Sequence, residues 1–313
     1  MYRSQEGARV TDLKLFRLDA ASGDVELRGS TVALEVELQR RVEASMEAML
    51  GIRFLASEYP TGPWHRGRID TLGLDENGAP VVVEYKKTVD SGVLSQASSY
   101  LSWLCSARHE FEALVRERLG AEAAKEIDWR NARAVCIAGD FSRHDRVAVY
   151  DNRRRIDLVR YRVFDDGLLS LMLVESSPAS AGPGPAPQRN RGTAGADDGL
   201  RAAPTSVPEC LRDLYGELDE ALTAWGEVEV VRLRHYIAYR RMVNRASVLF
   251  RPSHGIILVY LSLDPDTVVL EEGFTRDMRG IGHIGTGALE VRISSAADLG
   301  KAGPLIRRAF EAA

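Results

Sequence analysis

The 313-residue sequence predicts a larger N-terminal α/β domain, a mixed sheet flanked by helices, joined to a small C-terminal α+β domain. Three observations predict it. Residues 1–175 alternate short apolar runs with stretches whose apolar residues recur at helical spacing. The run GRIDTLGLDENGAPVVVEYKK reads as a β-hairpin, because Asn77-Gly78 is a strong turn signal between two apolar segments. Residues 176–207 are mostly Ala, Gly, Pro and Ser with almost no large apolar side chains, so they read as a flexible linker that divides 1–175 from 208–313.

Taken in order, Lys14 to Arg28 suggests a strand or hairpin turning at Ser22-Gly23-Asp24. Leu34, Leu38, Val42, Met46 and Met49 then recur near a 3.6-residue period, predicting one helix over Ala33–Leu50 that Gly51 ends. After the hairpin, helices are expected over Val93–Cys105 and Glu110–Leu119, followed by strands over Ala132–Ala138 and Ile156–Val163. In the second part, helices at Pro208–Trp225 and Leu299–Ala312 bracket two or three strands, including Ser247–Phe250 and Gly255–Leu263.

Composition narrows the function. Asp+Glu (45) slightly exceed Lys+Arg (41), which argues against a protein held on nucleic acid by global positive charge but leaves room for a local basic groove. Cys105, Cys136 and Cys210 have no paired spacing, which argues against a disulfide framework or a cysteine zinc site and for a reducing compartment. The N-terminus lacks an apolar signal segment and no run approaches 18 apolar residues, so a cytoplasmic protein with no membrane association is expected.

Chemistry concentrates on the hairpin. Strand alternation puts Val81, Val83 and Tyr85 on one face and Val82, Glu84 and Lys86 on the other. Asp70 joins Glu84 only if the loop has three residues, Glu76-Asn77-Gly78, with Gly78 left-handed; a two-residue loop would set Asp70 against Tyr85. Two carboxylates facing each other across a strand pair repel unless a proton or a divalent cation neutralises them. Oxygen ligands favour Mg2+ or Mn2+, whose natural partner is a phosphate, and Lys86 adds positive charge beside it. The competing reading is an ordinary solvated Asp-Glu-Lys cluster.

These residues resemble the PD-(D/E)XK, or restriction-endonuclease-like, nuclease superfamily. Asp70 matches its first aspartate, Glu84 its second acidic residue and Lys86 its lysine, although the proline of the first motif is absent. Gly67-Arg68-Ile69-Asp70 resembles the GRxD form of the RecB-like and NucS/EndoMS-like branches, and Gln96 and Tyr100, four residues apart on one helix face, match the QxxxY element. The resemblance implies a restriction-endonuclease-like mixed sheet and a metal shell of Asp70, Glu84, the Tyr85 backbone carbonyl and a first-helix carboxylate. Glu35 and Glu37 both offer the last, with Glu37 preferred. It further implies that Gln96 positions the nucleic-acid backbone or Lys86, against a plain helix-to-strand hydrogen bond, and that Tyr100 lies near the substrate or supports the helix.

For nucleic-acid contact the candidates are Arg68, Lys87, Tyr100 and the run Arg153-Arg154-Arg155, with solvated surface charge as the alternative for the basic residues. The C-terminal part resembles an uncharacterised nuclease-associated domain through Tyr236–Arg240 and the glycine-spaced stretch Met278–Gly287. The reading is a metal-dependent DNA endonuclease in DNA repair or in antiviral defence against foreign DNA. A homodimer would allow both strands to be cut, and a partner protein is expected at the C-terminal domain. The alternative is a non-catalytic nucleic-acid-binding or assembly protein that retains the nuclease fold.

Overall fold

The computed structural model describes residues 13–19, 23–87, 92–152, 154–177, 208–226 and 228–311. A two-stranded hairpin, β1 (Leu15–Arg17) and β2 (Val25–Leu27), precedes a short strand β3 (Gly29–Ser30). The single helix expected over 33–50 is two, α1 (Glu35–Glu43) and α2 (Met46–Leu50). The break falls at Ser45, whose non-helical φ of -138° turns the chain, while Leu38, Val42, Met46 and Leu50 all still reach the core. Gly51 ends the second helix in the left-handed region, as its position predicts.

Strand β4 (Ile52–Pro60), helix α3 (Gly62–His65) and the hairpin β5 (Arg68–Asp75) and β6 (Pro80–Lys86) follow. Then come α4 (Val93–Ser106), α5 (Arg108–Leu119), α6 (Ala121–Lys125), β7 (Arg133–Ala138), α7 (Arg143–Tyr150), β8 (Arg155–Phe164) and β9 (Leu168–Ser176). The sheet order is β3-β8-β7-β6-β5-β4, with β9 also paired to β8. β6, β7 and β8 run parallel, whereas β4, β5 and β6 alternate in direction, so the sheet is mixed. Apolar runs such as PVVVEYK and RAVCIA suit central strands covered on both faces. Leu101, Leu104 and Phe111 of α4 and α5 pack on Val82 and Leu72, while Leu38, Val42 and Met46 cover Val81, Val83 and Tyr85 from the other side.

β9 carries the N-terminal sheet through Ser176, and Ser177 still bonds to the Ile156 carbonyl at 3.0 Å. The rest of the expected linker lies outside the described residues. The C-terminal part is a six-stranded antiparallel sheet, β10 (Glu229–Arg232), β11 (Ile237–Arg240), β12 (Asn244–Arg251), β13 (Ile256–Leu261), β14 (Thr275–Asp277) and β15 (Leu289–Ile293), in the order β10-β11-β12-β13-β15-β14. That is more strand than the two or three expected. Helices α8 (Glu209–Thr223) and α9 (Ala296–Glu311) bury Leu218, Leu222, Ile306 and Phe310 against Tyr239, Val248 and Val259.

The two parts meet through a buried ionic junction. The Arg133 Nη1 donates to Asp157 Oδ2 at 2.9 Å, and Arg240 Nη2 of the C-terminal sheet donates to the same oxygen at 3.2 Å and to Glu229 Oε2 at 2.6 Å. Arg155 pairs with Glu229 as well, and burial lowers its pKa to about 10. Burial pushes the Asp157 carboxyl up, but the Arg240 and Arg133 guanidiniums more than offset this and hold it below its ordinary value. Nearby, Asn244 donates its backbone N–H to Glu76 Oε2 at 2.7 Å and its side-chain amide to Asn77 Oδ1 at 2.6 Å, so the C-terminal sheet grips the hairpin turn itself.

Removing Arg240 takes one of two guanidiniums from both Asp157 and Glu229, which keep Arg133 and Arg155 respectively, so Arg240→Ala should cost about 1–3 kcal/mol. Chemical denaturation checks this, with Arg279→Ala in the exposed Asp264-Asp266-Asp277 cluster as a control that should change stability little.

Candidate active site

The hairpin turn fixes the geometry. Asp75 pairs with Ala79, its Oδ1 accepts the N–H groups of Asn77 and Ala79 at 2.9 Å each, and Gly78 takes a φ of 79°. Glycine is required there twice over, since a Cβ at Gly78 would also stand 2.8 Å from the Glu126 carbonyl oxygen. This is the three-residue loop. The register it sets is Leu74 with Pro80, Leu72 with Val82 and Thr71 with Val83, so the next pair is Asp70 with Glu84.

The two carboxylates interlock through the backbone. Glu84 Oε1 accepts the Asp70 N–H at 3.4 Å, and Asp70 Oδ2 accepts the Tyr85 N–H at 3.0 Å. Glu84 is 1% exposed, whereas Asp70 is partly open to solvent. Burial first and the Asp70 charge second push the Glu84 carboxyl up to about 8. Burial also raises Asp70, against the lowering effect of the Tyr85 N–H and of Lys86. Both carboxyls are raised chiefly by burial, so ionising the two together in this gap is unfavourable.

Supporting residues converge on the same strand ends. Gln39 of α1, buried, donates Nε2 to the Asp70 carbonyl oxygen at 2.9 Å and so pins the backbone of that residue. Tyr100 of α4 donates its hydroxyl to the Arg68 carbonyl at 3.0 Å. Gly67 permits this approach, because a Cβ there would lie 2.7 Å from Tyr100 Cε1. The GRxD glycine and the QxxxY tyrosine therefore meet physically.

Tyr100 is buried, and its hydroxyl donates to the strand. Gln96 is partly buried on α4 and its side chain makes no hydrogen bond among the described residues. Lys86 is partly exposed and its charge lowers both carboxyls; Lys87 is exposed, with its N–H bonded to Glu35 Oε1 at 2.9 Å. Of the two first-helix carboxylates, Glu35 is the one that reaches the strand end and raises Asp70. Glu37, the preferred metal ligand, instead turns back to the Leu34 N–H at 3.4 Å, where it caps the start of α1. Tyr85 points its ring to the opposite core, leaving its backbone to face the site. In a strand the N–H and C=O of one residue face the same neighbour, so the Tyr85 carbonyl is directed to the side on which its N–H meets Asp70.

The arginine run is placed elsewhere. Arg153 lies outside the described residues. Arg154 donates to Ser102 Oγ at 3.1 Å, and Arg155 is buried at the domain junction. Because Arg155 is level with Val81 through Arg133, it lies about 10 Å along the strand axis from Glu84. Tertiary partners far away in sequence draw these side chains inward.

One acidic residue was not singled out from sequence. Ser57 pairs with Thr71 and Tyr59 with Ile69, which sets Glu58 of β4 opposite Asp70. Glu58, Asp70 and Glu84 thus form a row over three adjacent strands. Glu58 is ion-paired with Arg68, and its charge raises Asp70. Its φ of 52° lies in the left-handed region, at a cost of roughly 1–2 kcal/mol for a residue with a Cβ. The signal in the sequence was a glutamate in an apolar stretch just before GRxD, but it becomes informative only once that stretch is known to be the neighbouring strand.

Among the described residues, no group of three or more His, Cys, Asp or Glu side chains is arranged to hold a metal ion. The donor set present is two facing carboxylates and a backbone carbonyl, all oxygen. That set fits Mg2+ or Mn2+, which commonly keep several waters beside one or two carboxylates.

No family model matches the chain. An uncharacterized protein of Haemophilus influenzae is 21% identical over 294 residues, covering 91% of this chain and 96% of that protein. Among solved structures, a repair endonuclease from Pyrococcus abyssi is similar at 18% identity and a TM-score of 0.28, over 42% of this chain and 48% of the other. The structure of an EndoMS–double-stranded DNA complex is similar at 17% identity and a TM-score of 0.22, over 47% of this chain and 66% of the other. The mixed sheet flanked by helices is the architecture that the sequence predicts for the N-terminal part. No helix among the described residues is long and apolar enough to cross a membrane.

A carboxyl whose folded pKa is raised contributes stability that is complete below its unfolded value and is lost as pH rises through the folded one. Glu84 therefore favours the metal-free fold most below about pH 4.5, and this contribution fades up to about pH 8. Thermal melting should show a divalent-cation stabilisation that grows from pH 6 to pH 9 and disappears in Glu84→Gln. Glu76, raised to about 7 by burial, titrates in the same range, so the comparison with Glu84→Gln isolates the site.

Proposed function

We propose that the protein is a divalent-metal-dependent deoxyribonuclease that hydrolyses phosphodiester bonds at Asp70, Glu84 and Lys86. The observation that carries this reading is the facing Asp70-Glu84 pair, with Glu84 buried, at the carboxyl end of a central strand beside a lysine. Crevices at the carboxyl ends of parallel strands are where open α/β sheets bind ligands.

Asp70, Glu84 and the Tyr85 carbonyl would hold the cation, and the bound ion would supply Lewis acidity and neutralise phosphate charge. Lys86 would orient the attacking water and place an ammonium beside the charge that develops on phosphate oxygens as the new P–O bond forms and the old one breaks. Gln39 keeps the Asp70 backbone in place, and Tyr100 does the same for Arg68. Arg68, exposed at the lip of the site, would contact a substrate phosphate, and Lys87 would extend the positive edge.

Action in DNA repair or defence, an endonucleolytic mode, a homodimer and a partner protein at the C-terminal domain remain parts of this proposal. One observation favours the non-catalytic alternative: no three-residue ligand cluster is assembled among the described residues. Cleavage of labelled single-stranded, duplex, mismatched and branched DNA with Mg2+ or Mn2+ separates the two. Activity should fall at least about 100-fold, in the range expected for loss of one transition-state contact, in Asp70→Ala, Glu84→Ala and Lys86→Ala proteins that stay folded. Equal cleavage by wild type and all three variants would remove the assignment.

A further inference from the structure

We propose that Glu58 acts as an internal stand-in for the substrate phosphate: in the free protein its carboxylate holds the Arg68 guanidinium, and an entering nucleic-acid phosphate displaces it. The inference rests on the phosphodiester reading of the site and adds to it a positioning residue.

Placement is the first support. Glu58 lies opposite Asp70 across β4 and β5, and Arg68 is two residues before Asp70, hence on the same face of β5. The ion pair between them therefore sits at the edge of the carboxylate row, next to where a phosphate would lie against a cation held by Asp70 and Glu84. Carboxylate and phosphate oxygens are recognised by the same guanidinium fork, so one can replace the other without rebuilding the site.

Arg68 is built for such an exchange. Its backbone is pinned, with its carbonyl accepting from the buried Tyr100 hydroxyl at 3.0 Å, while its side chain is 68% exposed. An exposed ion pair is weak enough to give way to a polyanion. A fixed base with a free head swings between two acceptors at little cost in order.

The backbone at Glu58 is the second support. A glutamate in the left-handed region within a strand is unfavourable, and strain of this kind gathers at ligand clamps where the surrounding structure enforces it. Arg66, at the other end of the β4–β5 connection, is also left-handed, with a φ of 49°. Thr61 and Gly67 close the connection, the Gly67 N–H donating to Thr61 Oγ1 at 2.9 Å. The two left-handed residues thus bracket the β4–β5 connection, which leads directly into Arg68.

The consequence is a specific energetic coupling. Glu58 opposes nucleic-acid binding, and it does so mainly by occupying Arg68. The experiment is a double-mutant cycle on the full chain, with affinity for a labelled oligonucleotide duplex measured by fluorescence anisotropy in Ca2+ and again in EDTA. Circular dichroism confirms folding of each variant. Glu58→Gln should tighten binding several-fold, Arg68→Gln should weaken it and reduce the salt slope by about 1, and Glu58→Gln should have no effect once Arg68 is gone. Equal tightening by Glu58→Gln in both backgrounds would show a general charge effect and overturn the exchange. Weaker binding in Glu58→Gln would overturn it too, by making Glu58 a structural or ligand residue. If the wild-type protein binds no nucleic acid under either condition, the phosphodiester reading fails first and the exchange falls with it. That outcome is distinguishable from wild-type binding without coupling.

Discussion

The pairing of Asp70 with Glu84 is the constraint on which the rest depends. It follows from a turn of three residues, in which Gly78 is left-handed and Asp75 ties off two N–H groups. Change that loop by one residue and every side chain of one strand moves to the other face. The pairing brings two acids together in a buried gap, and desolvation then makes their shared ionisation unfavourable. Either a proton or a cation resolves the conflict. On the proposed reading, affinity for a metal would follow from strand register and burial.

The hairpin is held at both ends. At the site end, Gln39 bonds to the Asp70 backbone, and the Tyr100 hydroxyl, with Gly67 allowing its approach, bonds to that of Arg68. At the turn end, Asn244 binds Glu76 and Asn77, and the Arg133-Asp157-Arg240 network joins the two sheets next to Asp75. The C-terminal sheet is in this way a structural partner of the very hairpin that carries the acids. A stretch of Ala, Gly, Pro and Ser between two parts says nothing about whether they dock, because docking is decided by buried polar partners.

Much of the site was legible in the sequence. Asn77-Gly78, strand alternation and the requirement that two acids share a face together predict the loop, and the structure has it. Helix α4 was legible from its period, and α1 with α2 only as one helix, since the apolar stripe continues through the break at Ser45. Strands β4 and β9 and helix α7 were missed: β4 mixes buried and exposed positions irregularly, β9 is partly buried beyond Leu168 without alternation, and α7 buries only Asp145 and Val149. The arginines at 154 and 155 read as a surface patch, yet their partners are Ser102, Asn131 and Glu229, distant in sequence and invisible to local charge patterns. Glu37 illustrates a finer limit: Glu35 and Glu37 are two residues, about 200°, apart on the helix, and only the packing of α1 decides which one faces the strand ends.

The most direct test of the central claim is calorimetric titration of Mn2+ into the protein at pH 7 in buffers of different ionisation enthalpy. Because Glu84 is raised to about 8, it is mostly protonated there without metal, and binding should expel about one proton per ion. In Glu84→Gln both the tight binding and the proton release should be lost. Binding with no proton release, or binding undiminished in Glu84→Gln, would contradict the account.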